Sequence, residues 1–163
     1  MKKIPLTQGQ FAIVDDEDYD RLSEYKWRVN KSGRVFYAVR DCYLNKKRES
    51  ISMARSLVCP DNGMEVDHIN RNPLDNRRNN IRVCTRQENS RNRGIPAHNT
   101  SGYKGVRWHN QANKWMAVLG IDGKLVYFGF YTCIVKAAKA HDAAAREHFG
   151  EFACLNFPRS KNE

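Results

Sequence analysis

The sequence predicts an α+β chain built from two modules, and three observations lead there. Short strand-like runs fill residues 1–50. Residues 64–93 then read in the order strand, loop, strand, helix. After a linker-like stretch at 94–101, three strand-like runs precede one long alanine-rich helix. At 163 residues the chain can hold one domain or two small ones. The composition shift at 94–101 places the boundary so that 1–97 and 98–163 are separate units.

In the first unit, Gln10 to Val14 is apolar and is broken by Asp15-Asp16-Glu17-Asp18. The acidic run reads either as the opening of a short helix through Leu22, since carboxylates suit a helix N-terminus, or as a solvated loop. Trp27-Arg28-Val29 and Val35 to Val39 flank a turn containing Gly33, the pattern of a hairpin. Ile51 to Val58 predicts a short helix that stops before Cys59-Pro60. Glu65 to His68 is a short strand. Asn70 to Asn80 is rich in Asn, Asp and Arg and contains Pro73, which is loop chemistry. Ile81 to Cys84 alternates as a strand, and Thr85 with Glu88 forms a capping box for a helix carrying Asn89 and Asn92.

In the second unit, Tyr103–Trp108, Lys114–Leu119 and Lys124–Phe128 are strand-like, with Asp122-Gly123 as a hairpin turn. Thr132 caps a predicted helix from Cys133 to Phe149 that Gly150 ends. Alanines at 137, 138, 140, 143, 144 and 145 keep that helix slim enough to approach a sheet, with Lys136, Lys139 and Arg146 pointing away. The expectation is a three-stranded antiparallel sheet backed by one helix, with Trp115 in its core.

Charge narrows the partners. The chain carries 28 Lys and Arg against 18 Asp and Glu, a formal net charge of +10. Such an excess suits a polyanion, because bound Lys and Arg release counterions from a phosphate backbone. Between residues 67 and 97 every basic residue is Arg, which forks phosphate oxygens as Lys cannot. Arg77 and Arg78 read equally well as a solvated face. None of the 5 cysteines lies in a C-x-x-C pair, so a zinc ribbon is unsupported and buried free thiols are expected. Neither a signal-peptide-length apolar stretch after Lys2 and Lys3 nor a membrane-spanning run is present in the sequence.

The most informative residues are Asp67 and His68, followed by Asn80 and Asn89. An Asp carboxylate is a hard ligand for Mg²⁺ or Mn²⁺, and an Asn carbonyl oxygen adds a weaker contact. An imidazole titrating near neutrality can take a proton from attacking water. Ligand and base on adjacent strand residues point to opposite sides, so a distorted strand end must aim both at one phosphate.

Val66-Asp67-His68, with Asp75-Asn76-Arg77, Asn79-Asn80-Ile81-Arg82 and Asn89, resembles the HNH endonuclease family. The likeness is to the phage homing branch whose last histidine is replaced by Asn. It is strong over residues 64–93 and looser over 10–58. It implies a ββα-metal finger at about 64–93 in which Asp67 and Asn89 bind one divalent metal, Mg²⁺ or Mn²⁺. His68 is then the general base, and Asn80 braces the loop and orients His68. Arg93 and Asn92 are weaker candidates, Arg93 for the scissile phosphate. Relatives often carry His-Arg where this chain has Ala54-Arg55, so that His is missing here.

Tyr103 to Arg107, Lys114-Trp115, Phe128-Gly129, Ala143-Ala144 and Leu155 to Pro158 resemble an AP2 DNA-binding domain. That family lays its sheet in the major groove. By position, Lys104, Arg107, His109, Lys124 and Tyr127 then face DNA, with Trp108 and Lys114 as further candidates. Val118 and Gly120 stand where plant relatives often have Glu and Arg, so the plant target sequence does not transfer.

The two resemblances together imply a homing-type DNA endonuclease targeted by an AP2 module. Double-stranded DNA is its partner, with no membrane and no small-molecule cofactor. It acts as a monomer or a DNA-induced dimer, cutting one strand per site. By family, its setting is phage-related, inside a bacterial cell and not secreted. The alternative is a non-catalytic DNA-binding regulator that retains a degenerate HNH fold.

Overall fold

A computed structural model describes residues 1–44 and 46–158; the last five residues of the expected C-terminal unit, 159–163, lie outside the described residues. The chain divides into two compact units, Met1–Asn89 and Ser90–Glu163. Its architecture is mixed α and β, with small antiparallel sheets and few helices. Among the described residues no helix is long and apolar enough to cross a membrane.

In the first unit, β1 (Lys2–Pro5) pairs antiparallel with β2 (Phe11–Val14). The acidic run does open a helix, α1 (Asp16–Ser23), with three carboxylates in its first turn. A three-stranded sheet follows, in the order β3 (Arg28–Ser32), β4 (Val35–Leu44), β5 (Lys47–Ser52). Helix α2 (Met53–Val58) is capped by Ser52 and ends at Cys59 in a left-handed conformation before Pro60. Strands β6 (Glu65–His68) and β7 (Ile81–Cys84) form a hairpin with Asp67 opposite Arg82 and His68 opposite Ile81. The capping box closes as expected at α3 (Arg86–Arg91). Glu88 accepts from the Thr85 backbone amide at 2.8 Å, and Thr85 Oγ1 accepts from the Glu88 amide at 3.2 Å. That helix ends at Arg91, so Asn92, placed on it by the sequence, lies just past its end. Ile4, Val14, Leu22, Trp27, Met53 and Ile81 anchor the core of this unit.

The long loop between β6 and β7 is not a free excursion. The Ile13 amide of β2 donates to the Leu74 carbonyl, and the Asn76 amide donates to the Ile13 carbonyl, both at 2.7 Å. Arg78 forks Asp18 of α1 through Nε and Nη2, each at 2.7 Å, and Asp15 accepts from its backbone amide. Arg77 pairs with Asp75 at 2.7 Å. The solvated-face reading of these arginines is therefore wrong, because each has a buried carboxylate to neutralise.

In the second unit, β8 (Val106–His109), β9 (Lys114–Ile121) and β10 (Lys124–Tyr131) form a sheet in the order β10-β9-β8. The turn at Asp122-Gly123 has positive φ at both residues, as a two-residue hairpin turn demands. Helix α4 (Ile134–Phe149) lies on one face with Ala137, Ala138, Ala144 and Ala145 buried. Cys133, not Thr132, occupies its N-cap, and Gly150 ends it with φ +52°. Trp115 packs partly buried beside Val106, Ala137 and Ala138. After α4, Asn156 ties the following segment back to Lys104. Its side chain accepts from the Lys104 amide at 2.7 Å and donates to the Lys104 carbonyl at 3.0 Å, while Asp142 accepts from the Asn156 and Phe157 amides.

The first strand begins at Val106, three residues later than the sequence suggests, because Gly105 has φ +68° and sits against the His141 ring. A Cβ at Gly105 would meet His141 and the Val118 carbonyl, whereas one at Gly102, also at positive φ, would meet nothing within 4 Å. Gly102→Ala should therefore cost only backbone strain, about 1–2 kcal/mol. Gly105→Ala should cost about 2–5 kcal/mol from strain plus overpacking. Thermal melts of the two variants check this ordering, and equal losses would refute the role of the His141 contact.

Candidate functional site

The β6–β7 hairpin places His68 at the end of β6, buried at 8% exposure. Its Nε2 lies 3.2 Å from Asn76 Oδ1, so in this pairing the ring donates from Nε2 and leaves Nδ1 as the basic nitrogen. Asn76 is itself fixed, donating from Nδ2 to the Pro73 carbonyl at 3.2 Å. Burial lowers the His68 pKa below its ordinary value of 6.5, against the opposing pull of Asn76, Asp67 and Asp75. The ring is therefore neutral at pH 7, the state a general base needs.

Asn80 does not touch the His68 ring in the hydrogen bonds described. Its Nδ2 donates to the Asp75 carbonyl at 2.7 Å and to Asn70 Oδ1 at 3.0 Å, and its Oδ1 accepts from the Asn70 amide at 3.0 Å. It thus closes the loop that carries Asn76, and Asn76 contacts the histidine. The sequence treated Asn76 only as part of a motif; its burial beside His68 is a product of the loop's fold.

A cavity of about 220 Å³ is lined by His68, Asn76, Asn89, Glu65, Tyr37 and Arg55, among others. It brings together His68 and Asn89, two of the four site residues singled out in the sequence. Asp67 does not line it. The Asp67 carboxylate is 5% exposed as a residue and is held by Arg82, with Nη2 at 2.7 Å and Nε at 3.0 Å from Oδ2. Asn89 Nδ2 donates to Glu65 Oε2 at 2.6 Å. Glu65 was not anticipated, although its position two residues before Asp67 puts both carboxylates on one face of the strand. Cys84, opposite Glu65, stays a thiol: burial pushes its pKa up to about 11, and the Asp67 and Glu65 carboxylates add to the shift. Ala54 is buried in the wall of the cavity.

Oxygen donors suit a hard divalent ion. Among the described residues no group of three or more His, Cys, Asp and Glu side chains is gathered in metal-binding positions. The Asp67 and Glu65 carboxylates and the Asn89 amide oxygen are the donors of the right chemistry on this hairpin and helix.

In the second unit, strand register sorts the expected DNA-facing residues. Arg107 lies opposite Met116, His109 opposite Lys114 and Tyr127 opposite Val118, so Arg107, His109, Lys114 and Tyr127 share the sheet face away from α4. Tyr127 is 60% exposed. His109 Nδ1 accepts from the Ala112 amide, which places its proton on Nε2. Trp108 pairs with Trp115 in an edge-on contact at 5.1 Å, and Lys124 lies opposite Ile121; both belong to the register row of the helix-covered face. Lys104 directs Nζ to the carbonyls of Arg91 and Arg93 at 2.7 and 2.6 Å. Arg93 is exposed in the turn after α3.

Similarity to known proteins agrees with the first unit's geometry. A family model described as HNH endonuclease matches residues 59–91. The chain is 31% identical over 150 residues to an uncharacterized HNH endonuclease of Acanthamoeba polyphaga mimivirus, covering 91% of this chain and 76% of that protein. It is 34% identical over 91 residues to protein 3.8 of Escherichia phage T7, covering 56% of this chain and 74% of that one. It is 35% identical over 83 residues to an AP2-like ethylene-responsive transcription factor of Arabidopsis thaliana, which is 50% of this chain but 24% of the plant protein. The chain belongs to the HNH endonuclease family.

His68 and His141 are both shifted down from 6.5, chiefly by burial. The unfolded chain then binds protons more readily than the folded one, so their contribution to stability falls as pH drops below about 6.5. In metal-free protein, the His68 ring proton resonances should titrate below 6.5, and Asn76→Ala should move that midpoint lower by removing a bond that favours the charged ring. A midpoint at or above 6.5 in NMR titration would contradict the burial argument.

Proposed function

We propose that this chain is a DNA endonuclease that hydrolyses phosphodiester bonds with one divalent metal, using residues 64–93 as a ββα-metal finger. The observation that carries the reading is a buried His68, held by Asn76 and sharing a cavity with Asn89, inside the segment that matches the HNH family. His68 Nδ1 takes the proton of an attacking water, and the bond from Nε2 to Asn76 fixes the ring while the charge forms. Asn80 keeps the loop closed so that Asn76 stays in place. Asp67 and Asn89 hold the metal, Mg²⁺ or Mn²⁺, which when bound supplies Lewis-acid stabilisation of the phosphate and leaving oxygen. Asp67 must exchange part of its bond to Arg82 for that role.

Residues 98–163 serve in this reading as an AP2-like DNA-binding domain. Arg107, His109, Lys114 and Tyr127 form its contact face, supported by their common register and by the partial likeness to the plant protein. Lys104, Arg93, Trp108 and Lys124 would contribute at the margins of that face in this reading, Lys104 only by giving up its bonds to the Arg91 and Arg93 carbonyls. Double-stranded DNA is the substrate, and one site per chain cuts one strand at a time. The binding-only reading draws on Arg82 holding Asp67, which is the arrangement a retired metal site would keep.

Supercoiled plasmid with Mg²⁺ or Mn²⁺ separates these readings. The wild type should nick it and EDTA should stop the reaction, while His68→Ala should lose about 100-fold or more in rate and keep DNA affinity. Binding without nicking across both metals and a randomised substrate library would leave the regulator. Separately, Arg107→Ala should weaken duplex binding about 10-fold in gel shifts without changing cleavage of saturating DNA; unchanged affinity would remove the sheet face from DNA contact.

A further inference from the structure

We infer that Glu65 is a positioning residue for the metal site, acting through Asn89. This rests on the reading of Asn89 as a metal ligand and deepens it.

Two side chains from different elements meet at this site. Glu65 sits at the start of β6 and Asn89 on the second turn of α3, 24 residues apart. Their side chains meet at 2.6 Å, with the Asn89 amide nitrogen donating to the Glu65 carboxylate. Both line the cavity that holds His68. An ionised carboxylate can only accept, never donate, so it selects the amide's nitrogen and rejects its oxygen. Oδ1 of Asn89 is thereby turned away from Glu65 and left to serve as the donor atom for a cation.

The contact does two further things. Charge-assisted hydrogen bonding to the amide N–H draws electron density toward Oδ1, which makes a neutral amide a better ligand for a hard cation. It also removes the two-fold freedom of the amide plane, so the oxygen is presented before the ion arrives. A site with few protein ligands depends on each of them, and an asparagine without such a partner offers nitrogen as readily as oxygen. Glu65 is itself held, because β6 pairs along its whole length with β7 and the Glu65 carbonyl accepts from the Cys84 thiol at 3.8 Å.

Isothermal titration of the full chain with Mn²⁺ alone tests the inference without relying on cleavage. Glu65→Ala should weaken Mn²⁺ binding about 10- to 100-fold. Glu65→Gln, whose amide oxygen still accepts from Asn89, should weaken it only a few-fold. In an Asn89→Ala background, Glu65→Ala should add nothing further, because its route to the ion is gone. Circular dichroism and melting curves identify any variant that fails to fold, and Glu65→Gln keeps the test decisive in that case. Unchanged affinity in Glu65→Ala, equal losses for Ala and Gln, or a full additional loss in the Asn89→Ala background would each overturn the positioning role. Failure of the wild type to bind Mn²⁺ at all would instead bring down the metal-site reading beneath it.

Discussion

The side-chain amide of Asn80 is the constraint on which the site depends. It is buried at 6% exposure and satisfies three partners on one loop: the Asp75 carbonyl, the Asn70 amide and the Asn70 side chain. A loop of this length between two four-residue strands would otherwise carry unpaired backbone groups into the interior, which costs more than a hydrogen bond returns. With the loop closed, Asn76 stands beside His68 and the imidazole has one orientation. His68 is therefore oriented through a loop closed by an asparagine that makes none of the hydrogen bonds described to the ring.

Charge pairs fasten the same loop to the N-terminal elements. Asp18 is 3% exposed and sits between Arg78 and Arg21, and the Arg78 bonds hold its pKa below the usual carboxylate value, against the cost of burial. The stability it lends is present above the unfolded carboxylate value of 3.8 and is lost as pH falls through its lowered folded value. Acid thus attacks the site from both sides, by protonating these carboxylates and by charging the buried His68. The second unit repeats the device on a smaller scale: buried Asp142 gathers the Asn156 and Phe157 amides, and Asn156 fastens the chain end to Lys104.

Much of the fold was legible because periodicity and capping chemistry are local. The capping box at Thr85 and Glu88, the Asp122-Gly123 turn and the alanine face of α4 all formed as their sequences imply. The long-range partners were not legible. Nothing in Arg77-Arg78 announces Asp75 and Asp18 as their carboxylates, since one pair is set by the loop's fold and the other joins residues 60 apart. Glu65 looked like an ordinary strand residue, and only the packing of α3 brought it to Asn89. Asp67 shows the opposite limit, where the motif named a ligand and the hairpin register supplied an arginine directly across from it. Lys104 was expected at DNA by position, yet its head group serves the carbonyls of Arg91 and Arg93.

The account turns on a neutral imidazole held ready to take a proton. Cleavage by His68→Gly, which leaves space where the ring was, measures this most directly when imidazole is added back. The account predicts a variant that binds DNA and metal but cleaves slowly, with its rate restored in proportion to neutral imidazole. Full activity without imidazole, or no rescue while binding is kept, would contradict a base at this position.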